Sequence, residues 1–255
     1  MRFNLKKHII ELQTKGITYI EGFYKKKECK NVINKLEKII NRKALKKYVD
    51  SKCQIIANPF RHDLSLINLI DDKRLEKIFS VLLDPNYVLI DSTVINRKIN
   101  HKFKDSKKKK LGEQWHTDSR YNNNKRFDKG YSFLTISMFN DFSNDNSATL
   151  YIPESLNRKD RPPAINKKYR SKAITGKAGT IAILDTGIWH KAGKPSKLDR
   201  WSMFNYYGPW FMKPYFDFPK MMKKKKLKKK IKKLLHFNSQ PPIHEKERFR
   251  TIQKL

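Results

Sequence analysis

The chain has 255 residues, with 58 Lys plus Arg against 24 Asp plus Glu and a formal net charge of +34. That length suits one domain with a sizeable core, and 15 Phe, 11 Tyr and 4 Trp supply enough apolar bulk to exclude a disordered chain. Two cysteines, Cys29 and Cys53, exclude a disulfide framework and a Cys-only zinc site. No run of about 18 apolar residues marks a transmembrane helix. The N-terminus lacks the apolar stretch and small-residue cleavage site of a secretory signal, so a cytoplasmic, reducing compartment is expected.

The first part of the chain, to about residue 85, reads helical. Leu5–Gln13 is amphipathic and is stopped by Gly16. Ile17-Thr18-Tyr19-Ile20 is a short β-prone piece closed by Gly22. Cys29, Val32, Ile33, Leu36, Ile39 and Ile40 then follow the i, i+3, i+4, i+7 spacing of one helix face. Cys29 sits on that apolar face, which makes it a packing residue rather than a nucleophile.

From about Tyr87 the pattern changes to strands. Tyr87–Ile95, Tyr131–Asn140, Ala148–Ile152, Thr180–Asp185 and Trp201–Tyr207 are short, rich in β-branched or aromatic residues and bounded by turn formers. Many short strands without helices between them predict a mainly β fold with flanking helices, a barrel or jelly roll. Ser155–Lys172 is polar, carries Pro162-Pro163 and reads as a long loop of the kind that shapes or covers a site.

The C-terminal region, from about residue 216, is basic. Lys223–Lys233 reads KKKKLKKKIKK, and Leu227, Ile231, Leu234 and Leu235 fall on one helical face. The plainer reading is a solvated helix docked by a thin apolar stripe, and it is preferred. The sharper one is a helix lying on a membrane surface or a polyanion. A second run, Lys107–Lys110, lies in a polar loop. The cations are 45 Lys and only 13 Arg, whereas base and phosphate readers favour the planar fork of Arg. Lys, Asn and Ile share A/T-rich codons, which is a sufficient source of the charge. No specific nucleic-acid partner is expected.

The sharpest local signal is Gln114-Trp115-His116-Thr117-Asp118-Ser119. Residues two apart on an extended chain point to the same side, so His116 and Asp118 project an imidazole and a carboxylate together. A third ligand could come from His8, His62, His101, His190, His236 or His244. His8, His101, His236 and His244 lie in basic surroundings with no site context, while His62, in Pro59–Asp63, could line a site or cap a turn. His190 has the best context. It follows a glycine turn and a buried strand, Lys177–Asp185, and precedes the Gly193–Ser196 turn. Two histidines and one carboxylate on one face of a metal form the ligand set of non-haem Fe(II) oxygenases. Arg200 and Ser202 are again two apart. Together they suit the distal end of a dicarboxylate.

At these residues the chain resembles the phytanoyl-CoA dioxygenase (PhyH) type of Fe(II)/2-oxoglutarate oxygenase. Glu11–Ile40 is similar to the family's opening helix, short strand, Gly-Phe turn and second helix. WHTD resembles its H-x-D motif, and Asn144–Asn157 (NDNSATLYIPESLN) its stretch before the second ligand. The segment GTIAILDTGIWHKAGKPSKLDRWSMFNYY resembles the block that carries the distal histidine and the cosubstrate arginine. The resemblance implies a double-stranded β-helix (jelly roll) within one domain, 1–255. Its helical part would cover about 1–85, its core about 86–215, and its basic helix and tail about 216–255. It implies His116, Asp118 and His190 as catalytic metal ligands for Fe(II). Arg200 and Ser202 would bind 2-oxoglutarate, O2 would be the second cosubstrate, and hydroxylation of a small molecule would release succinate and CO2. Asn96 and Thr135 fall on strands that align with further cosubstrate contacts. Because Asp118 is present, a hydroxylase rather than a halogenase is implied.

The sequence departs from the family pattern at Glu154-Ser155-Leu156, Asn146-Ser147 and Lys194-Pro195, which border the pocket and bear on substrate identity. The Lys-rich rim permits an anionic substrate. The alternative is a catalytically silent basic jelly roll that binds a polyanion through its lysine runs.

Overall fold

The computed structural model describes residues 3–42, 49–50, 53–99, 112–118, 131–153, 155–158, 162, 169–241 and 244–246. Its first helix, α1 (Leu5–Lys15), begins where the Asn4 side chain accepts the Lys7 N–H at 3.1 Å. It ends at Gly16, whose φ of 69° is the left-handed conformation that glycine adopts without a Cβ clash. Space also requires glycine there, because a Cβ would lie 2.7 Å from the Ile188 side chain. The Gly16 carbonyl accepts the Asp185 N–H at 2.8 Å, so the end of α1 is fastened to the segment that leads to His190.

β1 (Ile17–Ile20) follows, then α2 (Lys26–Ile40), whose buried residues Cys29, Val32, Leu36, Ile39 and Ile40 are the stripe that the spacing predicts. The rest of the N-terminal part is more varied than the helical expectation. It contains β2 (Val49–Asp50), β3 (Cys53–Ala57), α3 (Pro59–His62), a 3₁₀ helix at Leu64–Ile70 and α4 (Lys73–Leu82). Apart from α4, whose buried Leu75, Ile78 and Phe79 keep the helical spacing, these elements are too short for a period to stand out in the sequence.

The other strands are β4 (Val88–Asn96), β5 (Phe133–Met138), β6 (Leu150–Tyr151), β7 (Lys172–Ala173), β8 (Ile181–Asp185), β9 (His190–Lys191) and β10 (Trp201–Gly208). β4, β5, β6, β8 and β10 fall where the β-rich segments were expected, and β7 and β9 are added. One antiparallel sheet has the order β1-β8-β5-β10-β4-β3-β2, and a smaller one the order β7-β6-β9. The arrangement is mainly antiparallel β with flanking helices, the jelly roll.

Alternation along each strand divides the core in two. Leu134, Ile136 and Met138 of β5 and Ala182 and Leu184 of β8 pack with Phe142, Tyr151 and Ile188, which belong to the smaller sheet and its connections. Phe133, Ile181, Ile183 and Met203 face the other way and pack with α1, α2 and α4. The helices thus cover the outer face of the large sheet and leave the space between the sheets for a site.

Two short helices, α5 (Phe218–Met222) and α6 (Lys229–Leu234), stand where one basic helix was expected. Ile231, Leu234 and Leu235 are buried as the stripe requires, and Leu227 packs at the edge of the core. Four consecutive cations, Lys223–Lys226, separate the helices. Like charges three and four apart disfavour a continuous helix.

Phe79 of α4 is fully buried against Tyr207, Tyr87 and Phe133, at ring-centroid distances of 4.7, 5.5 and 6.0 Å. Phe79→Ala should destabilise the fold by about 3–5 kcal/mol. A denaturant titration checks this, and a loss below about 1 kcal/mol would show that the helices are not the cover of the large sheet.

Candidate metal centre

The smaller sheet is extended by a bridge between His116 and His190. The His116 N–H donates to the His190 carbonyl at 3.0 Å, and the His190 N–H donates back at 2.9 Å. Residues directly opposite each other in such a pair present their side chains on the same face. The imidazoles accordingly sit 4.4 Å apart between ring centroids. Asp118 lies two residues beyond His116 and is held by its own N–H donating to the Thr186 carbonyl at 3.0 Å. Its carboxylate therefore joins the same face. Asp118 Oδ1 is 3.9 Å from His116 Nε2, and Oδ2 is 3.4 Å from His190 Nε2.

Both rings are set in one tautomer. His116 Nδ1 donates to the Gln114 carbonyl at 2.8 Å and His190 Nδ1 to the Ile188 carbonyl at 3.0 Å. A carbonyl only accepts, so each Nδ1 carries the proton and each Nε2 keeps its lone pair for the centre. The three donor atoms lie within 4.8 Å of one another. Among the described residues, no other group of His, Cys, Asp and Glu converges in this way.

Burial alone would raise the Asp118 carboxyl, but the adjacent His190, helped by His116, holds it below the usual carboxylate range. Burial alone would lower His190, yet Asp118 and the Ile188 carbonyl raise it. His116 is lowered, chiefly by burial and then by the charge of His190. The centre thus concentrates negative potential on one carboxylate flanked by nitrogen donors, which is a cation's environment.

Arg200 stands at the entrance to β10 with its side chain buried. Nη1 donates to Thr149 Oγ1 at 3.0 Å, and the guanidinium lies over the rings of Phe142 and Phe204. Nε is buried without a hydrogen-bond partner. Burial, and then the charge of Arg97, pulls its pKa down to about 9. A buried guanidinium with no ion pair among the described residues is costly, and an anionic ligand is what would relieve it. Thr149 adjoins β6, which pairs with β9 at Tyr151 and His190, so Arg200 is tied to the wall that carries the distal histidine. Ser202 lies on the same side of β10, but its hydroxyl donates to the Ile95 carbonyl at 2.9 Å.

The sequence pattern of Phytanoyl-CoA dioxygenase (PhyH) matches residues 12–196. The chain belongs to the phytanoyl-CoA dioxygenase (PhyH) family. No curated protein matches the sequence. Among solved structures, HygX from Streptomyces hygroscopicus with nickel and 2-oxoglutarate bound is similar at a TM-score of 0.64 and 13% identity, over 84% of this chain and 90% of that one. HygX with nickel, 2-oxoglutarate and hygromycin B bound is similar at a TM-score of 0.59 and 12% identity, over 84% of this chain and 91% of that one. The non-heme alpha ketoglutarate dependent epimerase SnoN from nogalamycin biosynthesis is similar at a TM-score of 0.61 and 12% identity, over 80% of this chain and 83% of that one.

The structure brings together His116, Asp118 and His190, and sets Arg200 just before β10 and Ser202 within it, on the large sheet of this PhyH-family fold. His62 ends α3 and does not join them. His8 bonds Thr18 at 2.9 Å, and His236 bonds Leu89 and Ser239, both structural roles. His101 and Lys107–Lys110 lie outside the described residues, as does much of Ser155–Lys172.

Sequence reasoning missed three residues. Arg97 is buried with an unpartnered Nε, and its counter-ion, Glu113, is 3.4 Å away. The register Trp201↔Asn96 continues by one residue to place Arg97 opposite Arg200. Thr149 is the second. Asp91, paired with Tyr206 and bonded by Thr93 at 2.8 Å, is the third. Its carboxyl is raised by burial and by the charge of Asp118. Strand alternation groups Arg97 with Asp91 on one face of β4, but only the β4–β10 register sets that face beside Arg200 and Tyr206.

Removing an unpaired buried charge should stabilise the ligand-free chain. Arg200→Met is expected to raise Tm, by the equivalent of about 1 kcal/mol or more. A fall in Tm of the ligand-free protein would show that Arg200 is already neutralised.

Proposed function

We propose that this protein is an Fe(II)- and 2-oxoglutarate-dependent dioxygenase that hydroxylates a small-molecule substrate. The observation that carries the reading is the convergence of two Nε2 lone pairs and one carboxylate beside a buried, anion-seeking Arg200. This donor set fits Fe(II). The buried guanidinium, whose Nε has no partner, fits a dicarboxylate. The PhyH-family match and the metal and 2-oxoglutarate bound by HygX support the same cofactors.

In this reading His116, Asp118 and His190 would hold the iron. Arg200 would hold the distal carboxylate of 2-oxoglutarate, with Thr149 and Ser202 beside it. Ser202 would turn its hydroxyl from the Ile95 carbonyl to do so. With both bound, the centre supplies O2-dependent oxidative decarboxylation to succinate and CO2 and the oxidising power to attack a C–H bond. The chain's own part is to position. The Gln114 and Ile188 carbonyls fix the ring planes, Thr186 fixes the Asp118 backbone, and Phe142 and Phe204 keep water from Arg200. Asp91 and Tyr206 share the inner wall and offer polar contacts to a substrate. Asp118 keeps the position that a halide would need, which favours hydroxylation over halogenation. The two free, buried cysteines accord with a cytoplasmic location.

Anaerobic addition of Fe(II) and 2-oxoglutarate should give a weak visible charge-transfer band. His116→Ala or Asp118→Ala should abolish Fe(II)-dependent succinate formation. Activity that survived in both variants would overturn the assignment. Arg200→Ala should raise the 2-oxoglutarate requirement about 10- to 100-fold through the lost charge-assisted bonds. The product mass separates two outcomes: a gain of one oxygen supports hydroxylation, and an unchanged mass would mean epimerisation instead.

A further inference from the structure

The proposed function leaves one surface unused. After β10 the chain turns through Pro209–Phe216, and Trp210, Phe211, Tyr215 and Phe216 stand exposed, Phe211 at 66% and Tyr215 at 58%. Natural surfaces carry single exposed apolar side chains without consequence, but four exposed aromatics on one short loop, with Trp210 against Phe211 at 5.8 Å, mark an interaction site. The cluster leads directly into the lysine run. Residues 209–238 hold eleven Lys, one Asp and no Arg. Lys213, Lys220, Lys223–Lys226, Lys228, Lys229 and Lys232 are exposed. Among the described residues, ion pairs in this stretch involve Lys230 alone, with Asp71 and Glu76.

The two features are held together by one strand. The Tyr215 N–H donates to the Ile90 carbonyl at 3.0 Å, and His236, just past α6, bonds the adjacent Leu89 carbonyl at 3.0 Å. The aromatic loop and the end of the lysine segment are therefore pinned to neighbouring residues of β4. The Tyr215 ring also meets Tyr206 at 6.1 Å. Tyr206 accepts from Ser132, and Ser132 bonds Thr186, whose carbonyl holds Asp118. The aromatic loop is thereby linked to the wall of the metal centre, while Ile231, Leu234 and Leu235 seat the lysine segment on the helix-covered face of the large sheet.

We propose that the aromatic loop Trp210–Phe216 and the lysines of Lys213–Lys232 form a docking surface for an anionic lipid bilayer. Trp, Tyr and Phe rings partition into the interfacial zone of a bilayer. Clustered Lys beside them adds attraction to anionic headgroups. Lys without Arg suits a diffuse charged plane, whereas phosphate reading on nucleic acid draws on the bidentate Arg fork. Single-stranded nucleic acid can also stack on exposed rings, and the test separates it.

The test is co-sedimentation of the full chain with phosphatidylcholine vesicles and with phosphatidylcholine vesicles containing phosphatidylserine. The protein should pellet with the anionic vesicles only, and less so as salt rises. Replacing Lys223, Lys224, Lys225 and Lys226 together by Gln should weaken binding by about tenfold or more. Phe211→Ser, an exposed change that leaves the core intact, should weaken vesicle binding by about tenfold or more, one buried ring's worth. Failure of the wild-type chain to pellet would overturn the proposal. So would a Phe211→Ser variant that pellets as well as the wild type, or tight binding of a single-stranded RNA oligonucleotide that Phe211→Ser abolishes while vesicles are ignored. The readout needs neither iron nor turnover, so its failure leaves the metal assignment standing.

Discussion

Two reciprocal backbone hydrogen bonds, His116 to His190 and back, are the constraint on which the centre depends. They set both imidazoles on one face and place Asp118 beside them. The two ring nitrogens that point away are spent on backbone carbonyls. Each ligand is thus oriented by main chain rather than by another side chain. Main-chain partners survive sequence change, which is consistent with a fold shared at 12–13% identity with HygX and SnoN.

Much of this was legible in the sequence because it rests on local periodicity. The α2 stripe, the Gly16 stop and the alternation of His116 with Asp118 are short-range patterns, and the structure places each where the pattern puts it. Arg97 was not legible, since one cation among 58 basic residues gives no sign of burial. Its place opposite Arg200 depends on the β4–β10 register, a long-range fact. The bond from Ser202 to the Ile95 carbonyl depends on the same register. The two-residue strands β2 and β7 exist only through their partners and carry no propensity signal. The break between α5 and α6 reflects repulsion among lysines, a cost that an apolar stripe by itself conceals.

The charge is divided between two settings. Outside, most lysines are solvated and their fields are screened. Inside, Arg97 and Arg200 carry unpartnered Nε atoms in a space lined by aromatic and aliphatic side chains. The low polarity there gives a bound anion far more per contact than the surface lysines could. The net charge of +34 therefore says little about the chemistry, whereas two guanidiniums say much. SnoN, an epimerase on a similar fold, shows that such a scaffold serves more than one outcome.

The junction between Gly16, Ile188 and Asp185 bears on how the protein is made. The end of the first helix braces the turn just before the distal ligand, and the first and last ligands meet only through pairing between distant segments. The three donors converge only once those segments have paired. An ion that binds the finished arrangement and not its precursors adds its binding free energy to the native state alone. Iron held by His116, Asp118 and His190 would therefore be felt as added stability of the docked N-terminal helix, although α1 supplies none of the ligands.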